Sequence, residues 1–175
     1  MDRRTAGRTL LLGGLGLAVP GVALAQGRGM GMGMGPMGEA ERRHAMDTLR
    51  VGAIALESSR MAQRMARGPR VREFADLEVE EQTTVAEIIR EMSGMTPPPL
   101  DPMGRRMLDR LNDARRGFDP AYLMAQMEGH QQLLDIQERY LRDGRNMHHR
   151  HIAMLASGRI REHLTDLGKL RAMRY

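Results

Sequence analysis

The chain has no cysteine and no tryptophan, and only three tyrosines and two phenylalanines among 175 residues. Without cysteine there are no disulfides and no thiolate metal ligands, so stability has to come from packing. Five aromatics offer little for bases to stack on. Lysine is scarce too: of 27 cationic residues, only Lys169 is not arginine. The net charge of +5 falls to +3 without the three arginines and one aspartate of the first 25 residues. Acidic residues are interspersed with the arginines, so no basic stripe forms, and this argues against a nucleic-acid partner.

Long apolar runs are missing with one exception. Residues 10–24 are apolar but too few, and too broken by glycine and proline, to span a bilayer. Arg3, Arg4 and Arg8 stand before this run, and Ala23-Leu24-Ala25 closes it. Together they read as a secretory signal over residues 1–25, cleaved after Ala25. The Arg3-Arg4 pair points to the twin-arginine route as one way out. The expected product is a periplasmic chain beginning at Gln26, with no transmembrane segment of its own.

Residues 26–38 are a Gly/Met-rich lead-in that cannot build a core. From Glu39 the apolar pattern is helical throughout. Helices are predicted over about 39–67, 70–93, 103–115, 120–142 and 146–172. Gly68-Pro69, Gly94 with Pro97-Pro98-Pro99, Asp101-Pro102, Gly117-Phe118-Asp119-Pro120 and Asp143-Gly144 supply the stops and starts. Four long helices joined by a tight turn, a long crossover and a second tight turn predict an all-α domain over 39–175. The expected architecture is a ferritin-like four-helix bundle.

Polar residues interrupt the apolar seams. Helix two reads Val71, Phe74, Glu78, Glu81, Val85, Ile88, Met92 on one face. An alternative face, Phe74, Leu77, Glu81, Val85, Ile88, leaves Glu78 at the edge. Glu57, His130 and His163 interrupt the other three seams. Counted from the tight turns at about 1.5 Å per residue, Glu57, Glu78, Glu81 and His130 fall within roughly 6 Å of one level, and His163 lies about 7 Å deeper. A charge in an apolar seam has to be paired, hydrogen-bonded or metal-bound. One expectation is therefore structural pairing, with Arg60 or Arg64 meeting Glu78 or Glu81 and His130 satisfied in the core. The other is a divalent metal held by Glu57, Glu78, Glu81, His130 and His163. A di-iron centre needs Glu-x-x-His twice, and the chain offers Glu78-x-x-Glu81 and Glu128-Gly-His130 instead.

A second metal candidate is soft. Met30, Met32, Met34 and Met37 supply thioethers suited to Cu(I), and His148, His149 and His151 add imidazoles on what is expected to be the outer face of the last helix. Ser58, Ser59, Ser93 and Ser157 have no histidine at a telling spacing, so nucleophilic catalysis finds no support. The arginine-rich faces leave room for an interaction module that meets acidic envelope components.

Phe74-Ala75 ahead of a carboxylate-bearing turn, Phe118-Asp119-x-x-Tyr122 followed by His130, and His163-Leu164 resemble the bacterial domain-of-unknown-function family 4142. The resemblance covers about residues 45–172. It implies export and a ferritin-like helical bundle, and it supplies no activity. By position Glu57, His130 and His163 match the family's polar set. Where the family shows an Asp-His pair in helix two, this chain has Glu81-Gln82, so an imidazole is replaced.

Overall fold

The helix boundaries fall where glycine, proline and short polar side chains interrupt the apolar periodicity. A computed structural model describes residues 37–173. The helices are α1 (Glu39–Met65), α2 (Pro69–Ser93), α3 (Pro102–Asp113), α4 (Phe118–Asp143) and α5 (Met147–Ala172). A 3-10 turn over Arg115–Gly117 joins α3 to α4, and no strand occurs among the described residues. The all-α bundle is thus four long helices with a short fifth in the crossover. The expected signal over residues 1–25 and three of the leader methionines, Met30, Met32 and Met34, lie outside the described residues. Met37 stands just ahead of α1, where its carbonyl accepts from Arg42.

Three of the helix ends have a clear local cause. Gly94 ends α2 in the left-handed region at φ 69°, which glycine adopts without a Cβ penalty. The Asp101 side chain accepts from the Gly104 amide at 2.7 Å, and Pro102 follows at the first helical position. Asn146 caps α5 through the His148 and His149 amides. Asp119 departs from the expected capping role, because α4 already begins at Phe118. Its buried carboxylate instead accepts from the amides of Arg67 and Gly68, at 3.0 and 2.8 Å, and ties the α1–α2 turn to α4.

The opposite turn is tied in the same way. Glu41 of α1 accepts from Tyr140 Oη at 2.9 Å and from the amides of Arg145 and Asn146 in the α4–α5 connection. Unpaired backbone donors at a buried turn need acceptors, and a carboxylate from a neighbouring helix supplies them. A Cβ on Gly144 would lie 2.0 Å from the Tyr140 ring, so only glycine permits this approach.

The apolar core is uneven. Its largest cluster surrounds the α1–α2 turn: Phe74, Phe118, Tyr122, Leu123, Leu167 and their neighbours, all buried. At about 1.5–3 kcal/mol per buried large apolar side chain, this end carries much of the stability. Toward the α4–α5 turn the apolar clusters shrink to Val51, Leu133, Leu134, Ile136 and Ile160, and to Ala45, Leu49 and Ile89. Buried polar side chains fill the space between. α1 packs along α2 and α4, and α4 along α5, whereas α2 and α5 touch over a shorter stretch.

Candidate metal centre

α2 turns one narrow row inward: Val71, Phe74, Ala75, Glu78, Gln82 and Ile89. Glu78 is therefore the innermost carboxylate, with no exposed surface. The first face is right at Glu78 and the alternative is wrong at Leu77, which is 47% exposed, while Ile88, common to both, is exposed at 36%. Glu81, one turn along, lies on the flank and bonds Arg159 Nε at 2.7 Å. Arg60 bonds Glu57 on its own helix at 2.6 Å, and Arg64 is exposed. Neither arginine reaches Glu78 or Glu81. Glu57 stays half-exposed with Arg60 and does not join the interior cluster.

Three of the predicted residues do converge. Glu78 Oε1 lies 2.7 Å from His163 Nδ1 and 3.1 Å from His130 Nε2, and the two ring nitrogens are 3.1 Å apart. His163 is thus level with His130, against the expected offset. Two causes correct the count. α5 begins only at Met147, after a three-residue connection, so the count from Gly144 ran too long. Side chains on a helix also lean toward its N-terminus. In antiparallel α4 and α5 this tilt carries His130 away from the α4–α5 turn and His163 toward it, so the rings meet.

Protonation is constrained by the outer partners. His130 Nδ1 lies 2.8 Å from the Gln126 carbonyl, which can only accept, so Nδ1 carries a hydrogen, and Nε2 faces Glu78 as a second donor in the imidazolium or as a free lone pair in the neutral ring. His163 Nε2 faces Glu81 Oε2 at 3.5 Å. Gln82 Nε2 approaches the second Glu78 oxygen at 3.4 Å. Burial alone would raise the Glu78 carboxyl, but hydrogen bonds and positive charge from His130 and His163 outweigh it and hold it down at about 2. Burial would lower His130, and the Glu78 carboxylate overcomes that and raises it. Both directions describe a buried carboxylate beside an imidazolium.

The donor triangle, with sides of 2.7 to 3.1 Å, has the spacing of hydrogen-bonded groups and is also compatible with three donors on one face of a metal ion. Two donors about 2.0–2.1 Å from one ion and at right angles across it lie about 2.9 Å apart. Two imidazoles and one carboxylate on one face form a recognised set for divalent first-row metals. The Gln126 carbonyl and Glu81 are the kind of outer partner that orients ligating histidines.

A profile described as a domain of unknown function (DUF4142) matches residues 31–170. The chain belongs to that family. No curated protein and no solved structure matches the chain. In this DUF4142 member the substituted position of helix two, Gln82, sits beside Glu78 and presents an amide where an imidazole was implied.

A second histidine pair escaped the sequence reading. His149 was expected on the outer face, yet it is buried at 1% exposure, while His148 and His151 are exposed. Its Nδ1 lies 3.1 Å from Nδ1 of His44, a residue not singled out at all. His44 Nε2 faces Gln137 Oε1 at 2.7 Å, and its ring stacks on Tyr140 at 4.3 Å. Burial lowers His44 to about 4, and the hydrogen bond that its Nε2 donates to Gln137 Oε1 only partly opposes it. Burial lowers His149 as well. Stepping back from His163 by three and four residues lands on Ile160, Ser157, Ala153 and His149. On α1 the row Ser59, Ala55, Thr48, His44 was equally present, but small and polar residues do not register as an apolar seam.

Proposed function

We propose that this DUF4142 member is an exported helical-bundle protein that binds one divalent transition-metal ion through Glu78, His130 and His163. One observation carries the reading: three buried donor atoms from three helices stand 2.7 to 3.1 Å apart. Two protons, one on each ring nitrogen, satisfy all three atoms as an ion pair, and one metal ion would satisfy them in place of those protons. The mixed nitrogen and oxygen set suits divalent zinc, iron, manganese or copper better than Cu(I), which thioethers favour. The clefts around the bundle stop at Phe74, Glu81 and Gln82 and are not lined by the triad itself, which suits holding an ion rather than presenting it to a substrate. Export is supported by the basic, apolar and A-x-A segments of residues 1–25.

The test is retention. Untagged protein is equilibrated with a mixture of divalent first-row metals and, separately, with Cu(I) under reductant, then dialysed and measured by mass spectrometry. One divalent ion per chain is expected, lost in His130→Ala and in Glu78→Gln. A chain that keeps no divalent ion carries an imidazolium–carboxylate ion pair instead, and the metal reading fails. Retention of Cu(I) that disappears on deleting residues 26–38 would assign the soft-metal role to Met30, Met32, Met34 and Met37.

A further inference from the structure

We infer that the triad is loaded through a second, outer ion position on the floor of the groove between α2 and α5, formed by Glu81 and the far nitrogen of His163. This rests on the metal reading above. Three clefts lead toward the triad. The one between α1 and α2, about 240 Å³, ends on the neutral amide of Gln82. The one beside Arg70 and Lys169 ends on the Phe74 ring, which stands edge-on 5.3 Å from that of His163. The groove between α2 and α5, about 400 Å³, ends on the Glu81 carboxylate and also carries the exposed His148 and His151. Each cleft carries a carboxylate, Glu57 in the first, Glu73 and Asp166 in the second and Glu81 in the third, and Glu81 is the one that faces a triad side chain, 3.5 Å from His163 Nε2.

His163 addresses two carboxylates through opposite nitrogens. Nδ1 faces Glu78 at 2.7 Å, and Nε2 faces Glu81 Oε2 at 3.5 Å. The second spacing is long for a hydrogen bond. It matches the edge of a tetrahedral site, where donors about 2.1 Å from one ion lie about 3.4 Å apart. Arg159 competes for the position, since its Nε holds the same Oε2 at 2.7 Å. Its Nη1 already bonds Glu162 at 3.0 Å, so the guanidinium has an alternative partner when it leaves Glu81. Arg159 therefore acts as a latch: closed on Glu81 it neutralises the floor of the groove, and turned to Glu162 it frees Oε2 for an incoming ion.

The experiment separates loading from holding. Zn²⁺ is transferred to the full-length protein from a chromophoric chelator in a stopped-flow cell, and release is followed by adding excess chelator. Glu81→Gln is expected to lower the association rate by about tenfold or more, the scale on which charged clefts accelerate ligand capture. Its final stoichiometry stays at one. Arg159→Gln is expected to load faster, with a final stoichiometry still of one. A Glu81→Gln protein that loads at the wild-type rate overturns the outer position and leaves the triad standing. An effect confined to the release rate overturns it too, reducing Glu81 to a positioning residue for His163. Wild-type protein that takes up no Zn²⁺ overturns both. Circular dichroism on each variant confirms that these partly exposed substitutions leave the bundle folded.

Discussion

The bundle buries two histidine pairs, and they solve opposite problems. At the α4–α5 end, His44 and His149 sit among groups that accept neutral rings: Gln137 faces one nitrogen, Tyr140 stacks on the ring, and the two Nδ1 atoms need only one hydrogen between them. In mid-bundle, His130 and His163 turn toward a carboxylate with no exposed surface. The first pair is held below its ordinary titration range by burial, and His130 is held above it by Glu78. Both environments are dry, so burial alone does not decide whether an imidazole is neutral, charged or a ligand. The neighbour does. A buried amide or phenol leaves a histidine neutral, whereas a buried carboxylate calls for a cation.

The comparison predicts effects of graded size. The largest is expected from His130→Ala in metal-free protein, which strands Glu78 without one of its two imidazoles. Urea unfolding should show a loss of about 3–5 kcal/mol, typical of breaking a buried pair from one side. A loss below 1 kcal/mol would mean that Glu78 reaches water.

Next comes the pH dependence of the end pair. A histidine at about 4 when folded and near 6.5 when unfolded binds fewer protons in the native state, so stability rises with pH between those values. The contribution is fully present above pH 6.5 and disappears as pH falls through 4. It amounts to about 3 kcal/mol for His44. The charges facing His44 are those of His149, Asp47 and Glu41, and the two carboxylates temper the effect. His44→Leu should flatten the slope of unfolding free energy between pH 4.5 and 6.5, and an unchanged slope would place His44 in solvent.

Smaller still is Tyr140→Phe, which removes the bond to Glu41 that helps anchor the α4–α5 turn. About 1 kcal/mol is expected, read as a lower urea midpoint at constant slope. The smallest is Glu57→Gln. This exposed pair with Arg60 should change stability by less than about 1 kcal/mol and leave metal retention intact. Loss of the ion in Glu57→Gln would restore Glu57 to the interior set.

Much of the fold was legible. Pro69, Gly94, Asp101 with Pro102, and Gly144 mark helix ends because their constraints are local, acting on a residue's own φ or amide. The site was legible in part. Glu78, His130 and His163 were all named, but Glu57 and Glu81 were named with them. Glu78 and Glu81, three residues apart, lie only about 60° from each other about their helix, and α2 uses a narrower inward row than a standard seam. His44 was missed because its row on α1 is made of threonine, serine and alanine. Asp119 was misassigned because its partners, Arg67 and Gly68, are about 50 residues away.

Local chemistry thus wrote the helices, their lengths and their order into the chain, since caps, turns and periodicity act over a few residues. Which polar side chains became neighbours was settled only when antiparallel helices were laid side by side. The lean of each side chain toward its own N-terminus then set which ones met, and it brought His163 onto Glu78 while leaving Glu81 with Arg159.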